Sequence, residues 1–362
     1  MREHRSVVAL VAPLVLLVGC ETMIPDPVAT KIGTEARTPR RYHYLAEQPF
    51  GDGLLHTGFV VAIEKAPKDK VGKGAWGSRI KLPSDARPEV GAKFTEVMDG
   101  EKAMVVTHII AYAPDRAAAS QPRMVTRFLY NVYPNAGAKE FGADPGAESY
   151  EERGWRALEG ELLTAVRGEL QAASTRGAPY THLLIGSMGW DNDQVECLRR
   201  FNAIVDHALA AARRAGSGAA FNPLLVGITW PSVWGWPSWF DIGAALYKLF
   251  GYANKADDAD EIGFGLGNWV VNRLGAEAKL AQPTLKLVVF GHSFGARLTS
   301  RAVFSRAFLK QPPGDSPVDL YLGLQGAFSV RRFIKNEGNE GWPYAGVRDD
   351  ATRSSELMMS PR

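Results

Sequence analysis

The sequence predicts an α/β fold, a mainly parallel sheet with helices on both faces and antiparallel strands at its N-terminal edge. Three observations predict it. Short continuous apolar runs at Leu224–Thr229, Leu285–Phe290 and Val318–Leu324 read as strands buried on both faces. Amphipathic helical patterns separate them, and that alternation belongs to parallel sheets. A glycine-flanked turn, Gly291-His292-Ser293-Phe294-Gly295, joins the Leu285–Phe290 strand to a helix. With 362 residues, 46% of them hydrophobic, the chain is long enough to bury a sizeable core.

At the N-terminus, Arg2 and Arg5 precede an almost wholly apolar run, Val7 to Val18, followed by Gly19 and Cys20. The run is too short to span a bilayer and has the layout of a secretory signal peptide, expected over 1–19. Leu17-Val18-Gly19-Cys20 resembles the lipobox of bacterial lipoproteins, in which the cysteine sulfur is acylated and the chain is cut just before it. The resemblance implies lipidation at Cys20 and anchoring to a membrane of the bacterial cell envelope. Glu21, rather than Asp, after the cysteine implies the outer membrane in a Gram-negative cell. Acyl chains stabilise insertion by roughly 0.8 kcal/mol per buried methylene. Cys197 is the other cysteine, so acylation of Cys20 leaves no intramolecular disulfide.

Residues 20–87 are rich in Pro, Gly, Thr, Lys and Arg and read as a tether, partly ordered around Gly58 to Glu64. The α/β domain is expected over 88–345. Ala103–Tyr112 and Met124–Tyr133 are β-rich runs separated by a Pro/Ala/Ser stretch and form an antiparallel pair. Tyr150–Ala173 is an amphipathic helix, with Trp155, Leu158, Leu162, Val166 and Leu170 on one stripe. His182–Ile185 is a strand and Gln194–Arg214 a helix, in which Cys197 is a small packed side chain. Leu224–Thr229 is the next strand, ended by Trp230-Pro231-Ser232. The acidic run Asp257-Asp258-Ala259-Asp260-Glu261 reads as a solvated first turn of a helix. Leu266, Val270 and Leu274 continue an apolar stripe. Leu285–Phe290 leads through the glycine turn into a helix at Ala296–Leu309, and Val318–Leu324 is the last strand. Residues 346–362 form a polar tail.

Net charge is +3 with Lys and Arg scattered, which excludes a nucleic-acid footprint of clustered basic residues. No Cys/His cluster has zinc spacing, and no metal or organic cofactor is expected.

The chemistry concentrates at the turn. A serine between strand and helix is forced into a strained backbone conformation and projects its hydroxyl beyond the sheet edge, while glycines two before and two after relieve crowding. The free N–H groups and dipole of the following helix point at the same spot, where an oxyanion would form. Residues from about 180 to 330 resemble the α/β-hydrolase fold, within a poorly characterised bacterial group. The resemblance rests on Gly291–Gly295, on Ile185-Gly186-Ser187-Met188-Gly189-Trp190-Asp191-Asn192 after a strand, and on Thr229-Trp230-Pro231-Ser232. It implies Ser293 as nucleophile, with the backbone N–H of Phe294 and that of Ser187 or Met188 as oxyanion donors. The implied activity is hydrolysis of carboxylic esters or related acyl substrates. Trp230, Trp234, Trp236, Trp239 and Phe240 follow the carboxyl end of a strand, where open α/β sheets place ligands. They read either as an apolar wall for an acyl group, with Trp230, Trp234 and Trp236 binding substrate, or as a self-packed loop.

In that fold the triad runs Ser, acid, His along the chain. The seven histidines are 4, 43, 56, 108, 182, 207 and 292, and none follows Ser293. Three explanations stay open. The fold's last strands, bearing acid and base, are missing from a truncated chain; or a histidine comes from elsewhere; or the domain is a catalytically inactive envelope lipoprotein that binds a ligand or partner. His292 points away from its neighbour's hydroxyl. His182 and Asp319 start their strands, at the wrong end of the sheet.

Overall fold

The computed structural model describes residues 56–67, 75–84, 88–99, 102–115, 123–132, 148–189, 192, 194–216, 221–230, 232 and 255–328. The chain divides into two compact units, one made of Met1–Thr38 and Trp234–Lys255, the other of Pro39–Val233 and Ala256–Arg362. Of the first unit, Lys255 alone is described.

Seven strands form one mixed sheet in the order β3-β2-β1-β5-β4-β6-β7. They are β1 (Gly58–Pro67), β2 (Lys102–Asp115), β3 (Arg123–Asn131), β4 (His182–Ser187), β5 (Pro223–Thr229), β6 (Lys286–His292) and β7 (Leu320–Leu324). The contiguous strands β1, β5, β4, β6 and β7 are parallel. β2 runs antiparallel to β3 at one edge, as expected, and antiparallel to β1 on its other side.

Alternation along the strands sets the layers. Phe59, Val61, Leu183, Ile185, Val226, Ile228, Leu287 and Val289 face one core. Val60, Leu184, Leu225 and Phe290 face the other. The helices, in chain order, begin with α1 (Ala75–Arg79) and α2 (Pro88–Met98). α3 runs from Tyr150–Ala157 through a π turn at Leu158–Leu162 to Leu163–Thr175. Ser149 caps it by accepting from the Glu152 N–H at 3.2 Å. α4 is Gln194–Arg214, and residues 256–264 form α5. α6 comprises Leu266–Asn268, a second π turn at Trp269–Leu274 and Gly275–Ala281. α7 is Phe294–Phe304. α4 packs on the Phe290 face through Cys197, Leu198, Phe201 and Val205. Residues of α2, α3, α5, α6 and α7 cover the other face.

Three differences from the sequence reading matter. The ordered patch expected around Gly58 to Glu64 is a full strand lying between β2 and β5, so the sheet begins before residue 88. The helix expected to reach Leu309 stops at Phe304, and after a short 3-10 turn Leu309 bridges to Ile80 instead. The acidic run is not a solvated turn: Asp258, Asp260 and Glu261 are buried. Glu261 accepts from the Met104 N–H at 2.7 Å, and Asp260 is gripped by two arginines. Among the described residues β7 is the outer strand beside β6, with Leu320, Leu322 and Leu324 exposed. No helix among them is long and apolar enough to cross a membrane.

Candidate functional site

Parallel pairing places the ends of β4, β5 and β6 at one edge: Ser187 is level with Ile228 and Gly291. Ser293 follows β6 at this edge with φ 54° and ψ −121°, a conformation that L-residues rarely adopt. Every backbone group of Ser293 is engaged. Its N–H donates to Leu324 O at 2.9 Å, and its carbonyl accepts from Ala296, Arg297 and Ala327. Strain of about 1–3 kcal/mol persists where surroundings over-determine the backbone in this way. Phe294 and Gly295 open α7, so no helical carbonyl precedes them to take their N–H groups. No described side chain hydrogen-bonds Ser293 Oγ.

The glycines around Ser293 are required by close approach. A Cβ on Gly291 would lie 2.6 Å from Ala296 Cα, and one on Gly295 would lie 2.5 and 2.7 Å from the carbonyl carbons of Ser187 and Met188. The turn therefore sits directly against the loop after β4. Gly189, not singled out in the sequence, is the residue of that loop that meets the serine. A Cβ there would lie 2.6 Å from Ser293 Cβ and 3.1 Å from its Oγ. Its signal was present as the second glycine of Gly186-Ser187-Met188-Gly189. Ser187 and Met188 are both buried.

Side chains fix this loop from behind. Trp230 Nε1 donates to Met188 O at 2.8 Å, and Asn192 Nδ2 donates to Gly189 O at 2.9 Å. The Ser232 hydroxyl donates to Asn192 O at 2.7 Å. Trp230 is 2% exposed, so it braces the loop rather than offering an open wall to a substrate. Trp234, Trp236, Trp239, Phe240 and Cys20 lie outside the described residues, as does the tail 346–362.

The histidines fall as follows. His182 pairs with Lys286 at the start of the strands, at the opposite edge from Ser293. His56 precedes β1 at that same opposite edge and meets Asp206 at 2.6 Å. His207 is exposed on α4. His108 is level with Ala62, itself level with Thr229, and so lies at the serine's edge, but on β2. Its ring is held there by Thr107 Oγ1 at 3.1 Å and by Gln194. His292 Nε2 donates to Gln325 Oε1 at 3.0 Å, which turns the ring toward the loop after β7. Asp319 accepts from the Leu287 N–H at 2.7 Å and pairs with Lys279 at 2.6 Å. It pins the opposite end of the sheet.

No model of a known protein family matches the chain, and no curated protein or solved structure matches it.

Charge beneath the turn is organised by Asp260 on α5. It accepts from Arg297 Nε at 2.8 Å and Nη2 at 2.7 Å, and from Arg301 Nε at 2.8 Å and Nη2 at 3.2 Å. Burial alone would raise the Asp260 pKa, but the two guanidiniums outweigh it and hold the carboxyl far below the usual range. Gly263 lets α5 come this close, since a Cβ there would sit 2.7 Å from Leu298 O. Among the described residues no group of His, Cys, Asp and Glu side chains is arranged to hold a metal ion.

Proposed function

We propose that this chain is a serine hydrolase of the α/β-hydrolase type, acting on carboxylic esters or related acyl compounds. The observation that carries the reading is the positive-φ conformation of Ser293 between β6 and α7, at the carboxyl edge of a parallel sheet. Strand order adds support, because β5-β4-β6-β7 sets the serine strand next to the strand whose loop abuts the serine. In this reading Ser293 Oγ attacks the acyl carbonyl, forming the Oγ–C bond while the carbonyl π pair moves onto oxygen. The N–H groups of Phe294 and of Ser187 or Met188 receive that oxyanion. Collapse breaks the bond to the leaving oxygen, which departs as the alcohol with the proton given up by the Ser293 hydroxyl; water then attacks the acyl-enzyme, releasing the carboxylic acid and returning a proton to Ser293 Oγ. Lipidation at Cys20 would hold the protein on a membrane of the cell envelope.

A second reading has a specific observation behind it. No described side chain hydrogen-bonds Ser293 Oγ, and a serine without a base is a weak nucleophile. The alternative is a domain of the same architecture that binds a ligand or partner without turnover. A fluorophosphonate probe separates the two when applied to the folded protein and to Ser293→Ala. The hydrolase reading expects labelling that Ser293→Ala abolishes; a folded sample that takes up no probe supports the binding reading.

A further inference from the structure

Among the described residues two that are not glycine have positive φ, Ser293 at 54° and Gln325 at 46°. Glycine occupies that region freely, whereas a residue with a Cβ stays there only when its surroundings hold it. The two positions are not independent. Ser293 follows β6 and Gln325 follows β7, and the strands pair in parallel with His292 level with Leu324. Both turns therefore leave the sheet side by side at the carboxyl edge.

Three hydrogen bonds join them. The Ser293 N–H donates to Leu324 O at 2.9 Å, and the Ala327 N–H donates to Ser293 O at 3.1 Å. Residues 324–327 thus grip the serine's backbone through both its N–H and its carbonyl. The third bond is between side chains, His292 Nε2 to Gln325 Oε1 at 3.0 Å. An amide oxygen only accepts, so this bond needs the ring proton on Nε2. Nδ1 of the same ring is buried and has no hydrogen-bond partner among the described residues. Turning the amide round would move the ring proton to Nδ1 and strand a buried N–H without an acceptor. The observed orientation is therefore the cheaper one, and it fixes both the tautomer and the ring. Gln325 itself is exposed, and His292 is the hydrogen-bond partner of its carboxamide.

We infer that Gln325 is a positioning residue for Ser293: through His292 and residues 324–327 it holds the serine turn in its strained conformation. It acts through its neighbour, since no described side chain hydrogen-bonds Ser293 Oγ. Its effect on catalysis rests on the hydrolase reading, whereas the clasp between the two turns does not.

Gln325→Gly in the full chain tests this, because glycine suits the positive φ and removes only the acceptor for His292. A residue that merely shaped its own turn would be replaced without harm. The clasp expects exchange of the Ser293 amide proton, followed by NMR, to become at least tenfold faster. Fluorophosphonate labelling should slow at least tenfold, with the melting temperature unchanged or raised. Gln325→Asn, which tolerates the same backbone but falls short of the ring, should behave as Gln325→Gly does. Gln325→Glu keeps an acceptor oxygen at the original reach and should return both rates toward those of the unchanged protein. Ring-nitrogen spectra, with His292→Phe identifying the signal, should show the Nε2-protonated tautomer in the unchanged protein and in Gln325→Glu, and its loss in Gln325→Gly. Ser293 exchange unmoved by both the Gly and Asn variants would overturn the inference, as would an Nδ1-protonated His292 in the unchanged protein. Exchange and tautomer that respond as expected in a protein that takes up no probe would uphold the clasp and remove the hydrolase reading.

Discussion

Ser293 stands so close to Gly189 that position 189 has no room for a side chain. Alanine at Gly189 would put its Cβ 2.6 Å from Ser293 Cβ, and backbone must then move on one side or the other. Gly189→Ala should slow fluorophosphonate labelling at least tenfold. Gly168→Ala serves as control, because a Cβ at that helical position meets nothing within 4 Å. It should leave labelling unchanged and stabilise the fold by up to about 1 kcal/mol. Trp230→Phe removes the indole donor from Met188 O and leaves a buried carbonyl unpaired. The expected cost is about 1–3 kcal/mol, read from urea unfolding, with slower labelling as the loop loosens. Equal labelling rates in all these variants would mean that the β4 loop does not shape the serine's surroundings.

Among the elements, α7 depends on α5. One carboxylate, Asp260, takes four hydrogen bonds from two arginines of α7 with no water-exposed surface of its own. Breaking a buried pair from one side typically costs about 3–5 kcal/mol, and Asp260→Asn should lose stability on that scale. The pH dependence has a definite sign. The folded-state pKa is depressed, so the contribution is fully present above the unfolded value near 4 and fades as pH falls below it. Urea unfolding at pH 7 and pH 3 should show a smaller acid loss in Asp260→Asn than in the unchanged protein; an identical loss would sink the assignment. This clamp was hidden in the sequence for a plain reason. Asp257 to Glu261 has the charge pattern of an exposed helix start, and the arginines that bury it come from a later helix. The strands β4, β5 and β6 were legible because burial on both faces writes itself as continuous apolar runs. β1 was half-legible: Phe59–Ile63 is such a run, but Pro, Gly and Lys on either side resemble a tether, and its parallel partner β5 lies far along the chain. At the site, Ser293 was legible from its glycine frame. Gly189 was legible only as a second glycine after β4; its contact with Ser293 comes from pairing two loops far apart in the chain.

At the scale of the molecule, the sheet's carboxyl edge and its opposite end, pinned by Asp319, are two chemically distinct regions of one body, the first built on backbone geometry and the second on side-chain charge. In the proposed reading, attachment to a membrane rests on Cys20, which lies outside the described residues. In the full chain, Cys20→Ser should shift the protein from the membrane fraction to the soluble one after cell fractionation. Retention of the variant with the membranes would show that acylation at Cys20 is not the anchor. The interlocking of Gly189, Gly291 and Gly295 also bears on portability. A designer moving this serine to another parallel sheet could not carry Gly291–Gly295 alone. The smallest transplantable unit is the pair of loops together, 186–189 with 291–295, on adjacent parallel strands in the register that sets Ser187 beside Gly291.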